Sequence, residues 1–316
     1  PDITGDSVCE IEGYDGLSYL AGVDLPADFY TWIVQSGTNV PVAWWPLGSS
    51  DSNCTDKMGA YNWSFTTIAP ATGSVPSDWM TGSGTQFDGS FGAIGPIVAP
   101  SPSDTSWTVE GFVKTTVVPA TAGYVSPILC NAGPDNATIG IDDSGRLVFR
   151  NSSAGAVNSG FPINDGNWHH FAVAYNGLGD PPYIFVDGNY LSFDQAGSGA
   201  CGTGWQLLGL SNHVGDDPTF VGELAHIKVY QSDIGSLAMA QLYAAGLRGT
   251  IWNGVSSDEW VQQVLTAAGW PAGWTSLETG TIKPGGMKWG QNALTVLQQL
   301  ALTEGGRVFV DQDGIF

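Results

Sequence analysis

The chain has 316 residues with 30 acidic against 9 basic side chains, a formal net charge of −21, so its field repels phosphate backbones and anionic bilayers and excludes nucleic acid as a partner. Hydrophobic residues make up 42%, with 13 Trp among them, which excludes a disordered chain, and the length suffices for two domains. No apolar run is long enough to span a bilayer, so membrane insertion is not expected.

The chain starts at Pro1 without a signal peptide and stops at Phe316 just after the turn-like "DQDG", which reads as an excerpt of a longer polypeptide. Near the start, "SVCEIEGYDGLSYLAG" alternates as a strand, after which Asp15 caps a short helix through Leu20. Beyond Pro26, "ADFYTWIVQSG" places Phe29, Trp32 and Ile33 on one helical face and ends near Gly37.

From about Val40 to Val229 the texture becomes short apolar or alternating runs between Gly, Pro, Asn and Asp turns. "VAWWPLG", "SWTVEGFVKT", "RLVFRN" and "WHHFAVAYNG" are such runs, with "DDSGR" and "VDGNY" as hairpin turns, and the pattern predicts a β-sandwich. In "WHHFAVAYNG" strand alternation sends His169 and His170 to opposite faces, so the two cannot serve one ion or substrate; both read as architectural.

Helical periodicity then returns. Ser232 caps a helix with Ile234, Leu237, Ala238 and Leu242 on one face; "SSDEWVQQVLTAAGW" has a capping serine, an acidic first turn and a Gly stop; "GQNALTVLQQLALTEGG" repeats the period through Leu294, Leu297, Leu300 and Ala301. The organisation read from this is a split α+β domain, residues 1–39 and 248–316, carrying a guest sandwich at 40–247.

The four cysteines, Cys9, Cys54, Cys130 and Cys201, lie too far apart for a zinc site; three pairings are open, and most read as buried free thiols. Sequons stand at Asn53, Asn62, Asn136 and Asn151. Sugar sites combine an aromatic platform with Asp and Asn side chains, and here Trp79, Trp205, Asn212 and His213 are the candidates. The pairs Asp216–Asp217 and Asp142–Asp143 supply hard oxygen ligands of the kind Ca²⁺ takes, although turn chemistry alone also accounts for "GDDP" and "DDSG". No other cofactor is expected.

"DGNWHHFAVAYNG" followed by "YIFVDGNYL" resembles the laminin G-like, concanavalin A-like lectin sandwiches, and "VAWWPLGSSDS", "GTQFDGS" and "FVGELAHIKVYQSDIGSLAMAQLY" fit that family's opening and closing elements in order. The resemblance implies a mainly β jelly roll. The same family contains glucanases, whose pattern sets two or three carboxylates at alternate positions on one strand; here the sandwich holds only Glu110 and Glu223 as glutamates, far apart, so no catalytic residue is assigned and no enzyme is expected. "EIEGYD", with Glu10, Glu12 and Asp15, mimics that pattern outside the sandwich.

The flanks "DEWVQQVLTAAGWPAGWTSLETG" and "ALTVLQQLALTEGGRVFVDQDG" resemble minor tail proteins of phages infecting actinobacteria, in the hub-like region at the tail tip. That resemblance implies a virion structural protein in the phage tail, homo-oligomeric, bound to other tail subunits and displaying the sandwich toward host cell-surface glycan. The alternative is a secreted carbohydrate-binding or glucanase-like module of the same fold.

Overall fold

The computed structural model describes residues 16–37, 39–48, 53–67, 70–98, 106–131, 137–151, 155–178, 181–191, 204–211, 219–250, 255–271, 273–280 and 282–303. Its helices are α1 (Gly16–Gly22), α2 (Phe29–Ser36), α3 (Gly235–Tyr243), α4 (Ser257–Ala267) and α5 (Ala293–Thr303). The chain divides into two compact units, residues 1–27 with 253–316, and residues 28–252.

The described residues of the first unit hold α1, α4 and α5, joined by irregular chain. α4 opens as its sequence dictates: Glu259 reaches back to accept from the Ser256 backbone N–H at 2.9 Å, Asp258 and Glu259 lie in the positive first turn, and Gly269 takes φ +73° past the end. α5 buries Leu297 and Leu300 of the expected stripe together with Ala293 and Val296, while Asn292 caps it by accepting from Thr295 N. Tyr19 of α1 donates to Ala268 O at 2.9 Å and packs beside the Trp270 ring.

The second unit is a sandwich of two antiparallel sheets. Its strands are β1 (Ala43–Trp45), β2 (Asn53–Cys54), β3 (Trp63–Phe65), β4 (Ala71–Thr72), β5 (Thr85–Asp88), β6 (Ala93–Val98), β7 (Trp107–Lys114), β8 (Val125–Asn131), β9 (Thr138–Asp142), β10 (Arg146–Asn151), β11 (Gly155–Pro162), β12 (His169–Tyr175), β13 (Tyr183–Val186), β14 (Asn189–Tyr190), β15 (Trp205–Leu208) and β16 (Val221–Tyr230). One sheet runs β14-β13-β12-β7-β16-β5-β4 with β1 also on β16; the other runs β11-β10-β9-β8-β15-β6-β3-β2.

Alternation explains the core. Val109, Val113, Phe171, Val173 and Tyr175 point between the sheets and meet Ile139, Ile141, Leu147 and Phe149 from the facing sheet, all buried. Each such large side chain contributes about 1.5–3 kcal/mol by leaving water. The hairpins expected at "DDSGR" and "VDGNY" both form; Asp187 and Gly188 take φ +50° and +75°, the left-handed pair that a two-residue hairpin turn requires.

The opposite face of the first sheet is covered by α2, α3 and the π-helical turn Ala244–Arg248 that continues α3. Gly246 is a glycine because a Cβ there would stand 2.5 Å from the Phe112 ring. Two expectations are corrected here. α2, assigned by sequence to the split α+β domain, packs within the sandwich unit, and it buries Phe29, Tyr30, Thr31 and Val34 while Trp32 and Ile33 stay half-buried. α3 keeps Ile234 and Leu242 of its expected face buried but adds Met239, Ala240 and Tyr243 and leaves Leu237 63% exposed, because its docking face is set by the sheet beneath it and not by its most apolar stripe.

Candidate functional site

The helix-covered face of the first sheet holds two carboxylate–ammonium pairs, one sealed and one open. Glu110 of β7 and Lys228 of β16 pair at 2.7 Å with both side chains 0% exposed. Tyr230 donates to Glu110 Oε1 at 3.2 Å, His170 Nε2 stands 3.3 Å from Oε2, and from α2 the Tyr30 hydroxyl touches both Lys228 Nζ and the carboxylate. Burial pushes the Glu110 carboxyl up, but the Lys228 ammonium and His170 outweigh it and hold it at about 2; burial lowers Lys228 to about 8. A bulge in β16 turns His226, at φ +52°, under Trp44, whose indole donates to Nδ1 at 3.3 Å, and burial holds His226 neutral with a pKa of about 3. With every group buried, this cluster is a structural clasp for α2.

Register places the open pair further along the same face. Trp168 precedes β12, whose His169 lies opposite Val113; Lys114 is the next residue of β7, and it lies opposite Glu223, which in turn lies opposite Gln86. Side chains two positions apart share a face, so Trp168, Lys114 and Glu223 continue the row begun by His170, Phe112 and Glu110 beyond the helices. Lys114 Nζ donates to Glu223 Oε1 at 2.8 Å and to Ser74 Oγ at 3.1 Å; Ser74 Oγ donates to Glu223 Oε2 at 2.7 Å, and its backbone N–H donates to the same oxygen. The Trp168 indole N–H donates to Ser74 Oγ at 3.1 Å, and Lys114 Nζ stands 5.9 Å from the indole centroid. Burial works against the Glu223 charge, yet Lys114 and Ser74 keep its carboxyl below the usual range. The Lys114 and Glu223 side chains are 30% and 11% exposed, Ser74 is exposed and Trp168 half-buried, so the cluster opens to solvent.

Residues 92–236 match the family model of the concanavalin A-like lectin/glucanases superfamily. Over these residues the sandwich is similar to the laminin G-like, concanavalin A-like domains. Similar solved structures are domain 4 of an extracellular arabinanase from Geobacillus stearothermophilus (16% identity, TM-score 0.47, covering 64% of this chain and 98% of that one). Others are a Trypanosoma rangeli sialidase (16%, 0.48, 72% of this chain and 37% of the sialidase) and the binding domain of Paraclostridial Mosquitocidal Protein 1 (14%, 0.48, 68% and 56%). No curated protein matches the sequence.

Within this concanavalin A-like domain, Glu110 and Glu223 do not form a glycosidase pair. Glu223 sits opposite Lys114, four residues from Glu110 along β7, or about 13 Å at ~3.3 Å per residue, beyond the ~5–9.5 Å that glycoside hydrolysis uses.

The sequence-predicted sites fare unevenly. Trp205 offers no platform: it is 0% exposed in β15, edge-on to Trp107 in the core. Trp79 is half-buried against Gly249, where a Cβ would lie 2.5 Å from its ring. Asp142 is committed to its hairpin, accepting from Ser144 N and Arg146 N at 2.9 Å and pairing with Arg146 at 2.7 Å, and Asp143 accepts from Gly123 N. Asn212, His213, Asp216 and Asp217 lie outside the described residues, as do Glu10, Glu12 and Asp15. Among the described residues no group of three or more His, Cys, Asp or Glu side chains is placed to hold a metal ion.

Cys54 and Cys130 are buried free thiols, and burial pushes Cys130 up to about 12. Asn151 is only 4% exposed and offers no glycosylation site, whereas Asn53 and Asn62 are exposed. The two histidines separate as alternation requires: His170 faces the clasp, while His169 lies 2.8 Å from Asp187 and 3.1 Å from Asp165. Sequence reading took "WHHFAVAYNG", with Trp168, as a scaffold strand, weighed Glu223 only as a catalytic carboxylate and passed over Lys114; the available signal was a charge at each strand end beside a turn, which becomes a site only once register is known.

Proposed function

We propose that the protein is a non-catalytic, lectin-like subunit of a phage tail that presents its sandwich to host cell-surface glycan. The observation that carries glycan binding is the open Trp168–Lys114–Glu223–Ser74 row: an indole beside a prearranged donor and acceptor, the composition of a sugar subsite, on a concanavalin A-like scaffold. The tail assignment rests on the sequence resemblance of the flanks to tail-tip proteins of phages infecting actinobacteria. A homo-oligomer joined to other tail subunits would convert weak single-site affinity into avidity.

Two measurements test the reading. Antibody raised against the chain is expected to label the tail tip of purified actinobacteriophage particles encoding it; labelling that never falls on a virion overturns the tail assignment. Purified protein is expected to cosediment with actinobacterial cell envelopes and to release no reducing sugar from glucans. Turnover abolished by Glu223→Gln would overturn the non-catalytic role and favour the glucanase-like alternative.

A further inference from the structure

We propose that the open row reads the vicinal diol of a neutral glycan, an assignment that rests on the glycan-binding reading of the sandwich. Each ammonium has three N–H donors, and Lys114 uses two on Glu223 and Ser74; Glu223 Oε1 accepts from Lys114 alone among the described residues. One donor and one acceptor lone pair therefore remain side by side at atoms 2.8 Å apart. Two adjacent ring hydroxyls match that arrangement, one accepting from Lys114 and the other donating to Glu223. Ser74 cannot take this part, because its hydroxyl already donates to Glu223 and accepts from both Lys114 and Trp168.

Trp168 completes the subsite. Its N–H is committed to Ser74, and the Lys114 ammonium stands 5.9 Å from its centroid, so the apolar C–H face of a sugar ring held by the ion pair meets the indole. The row also continues through Gln86 on β5, so Trp168, Lys114, Glu223 and Gln86 span about 14 Å at ~4.8 Å per strand, enough for a run of linked sugars across the sheet.

Charge selects the class. The pair is internally neutral, and a chain of net charge −21 repels uronates, teichoic polymers and other anionic glycans.

The full chain is assayed on immobilised dextran, mannan, arabinan, galactan and polygalacturonate, each neutral polymer also after periodate oxidation and borohydride reduction, which destroys vicinal diols. Lys114→Met, which removes the ammonium and keeps a long aliphatic side chain, and Glu223→Gln are compared, with a thermal melt as the check that both fold. The expected result is binding to at least one neutral polymer and none to polygalacturonate, lost on periodate treatment and weakened about tenfold or more in both variants. Undiminished binding by folded Lys114→Met and Glu223→Gln overturns the site while leaving a glycan-binding sandwich intact. Binding to polygalacturonate alone, or survival of binding after periodate, overturns the neutral-diol class. Absence of binding to every polymer and to cell envelopes overturns both this proposal and the reading it rests on.

Discussion

His226 is held neutral in the fold at a pKa of about 3 against an ordinary 6.5, first by burial and then by the Lys228 ammonium. As pH falls through this window the unfolded chain takes up a proton that the folded one refuses, so stability drops between pH 6.5 and about 3. Glu110, at about 2 against an ordinary 4.5, adds a second loss between pH 4.5 and about 2 as its carboxylate is protonated in the unfolded chain first. Urea midpoints taken across this range are expected to fall steadily, and His226→Asn, which tolerates positive φ, is expected to flatten the upper part of the fall; an unchanged slope would reject the assignment. His169 runs the other way: despite burial, Asp187 and Asp165 raise its pKa above 6.5, so its contribution is full below 6.5 and fades as pH rises through the raised value. At any pH between these limits, removing one partner of the sealed pair strands a buried charge. Glu110→Gln or Lys228→Met alone should cost about 3–5 kcal/mol in denaturant unfolding, and the double variant less than the sum.

α2 and α4 show what an element's own sequence can reveal. The α4 start was legible because its capping box is closed by Ser256 and Glu259, three residues apart. Asp28, by contrast, caps α2 through Thr31 N at 2.6 Å with one oxygen and holds Thr81 N at 2.9 Å with the other, a partner 53 positions away that no local pattern announces. Ser256→Ala is therefore expected to cost about 1 kcal/mol, while Asp28→Ala loses the cap and also orphans the Thr81 donors, about 2 kcal/mol or more; equal costs in urea unfolding would show that the Thr81 contact contributes nothing. The same rule sorts the strands. The Asp187–Gly188 turn and the opposite faces of His169 and His170 follow from neighbours in sequence, and were readable. Trp205 was misread as a platform because an aromatic flanked by Gly looks like a loop residue until pairing with β6 and β8 buries it. The row of Trp168, Lys114 and Glu223 depends on the register of three strands drawn from distant parts of the chain, so the fold was legible and the candidate site was not.

At the scale of the whole molecule, the boundary of the sandwich unit turns on the clasp. Hydrophobic texture places its edges near residues 40 and 247, but the compact unit runs from 28 to 252, because α2 supplies Tyr30 to the Glu110–Lys228 pair and sets its ring 5.3 Å from Phe112. The closing π-helical turn Ala244–Arg248 lies against α2 on the same face, and Ser77 ties to it by donating to Gly246 O, so both ends of the unit are held by that layer. A fragment of residues 28–252 is expected to unfold in one cooperative transition. A fragment of residues 40–247 lacks α2 and the last residue of the turn, exposes Phe112, and leaves the buried ion pair with the Tyr230 hydroxyl but without that of Tyr30. Several kcal/mol are lost at once, which for a unit of this size lowers Tm by about 10 °C or more. Calorimetry on the two fragments, with Tyr30→Phe in the longer one, decides the point. The variant should melt between them, since it keeps the ring packing on Phe112 and loses only the hydroxyl; coincident melts for all three would mean that α2 is an ornament to the sandwich and not its lid.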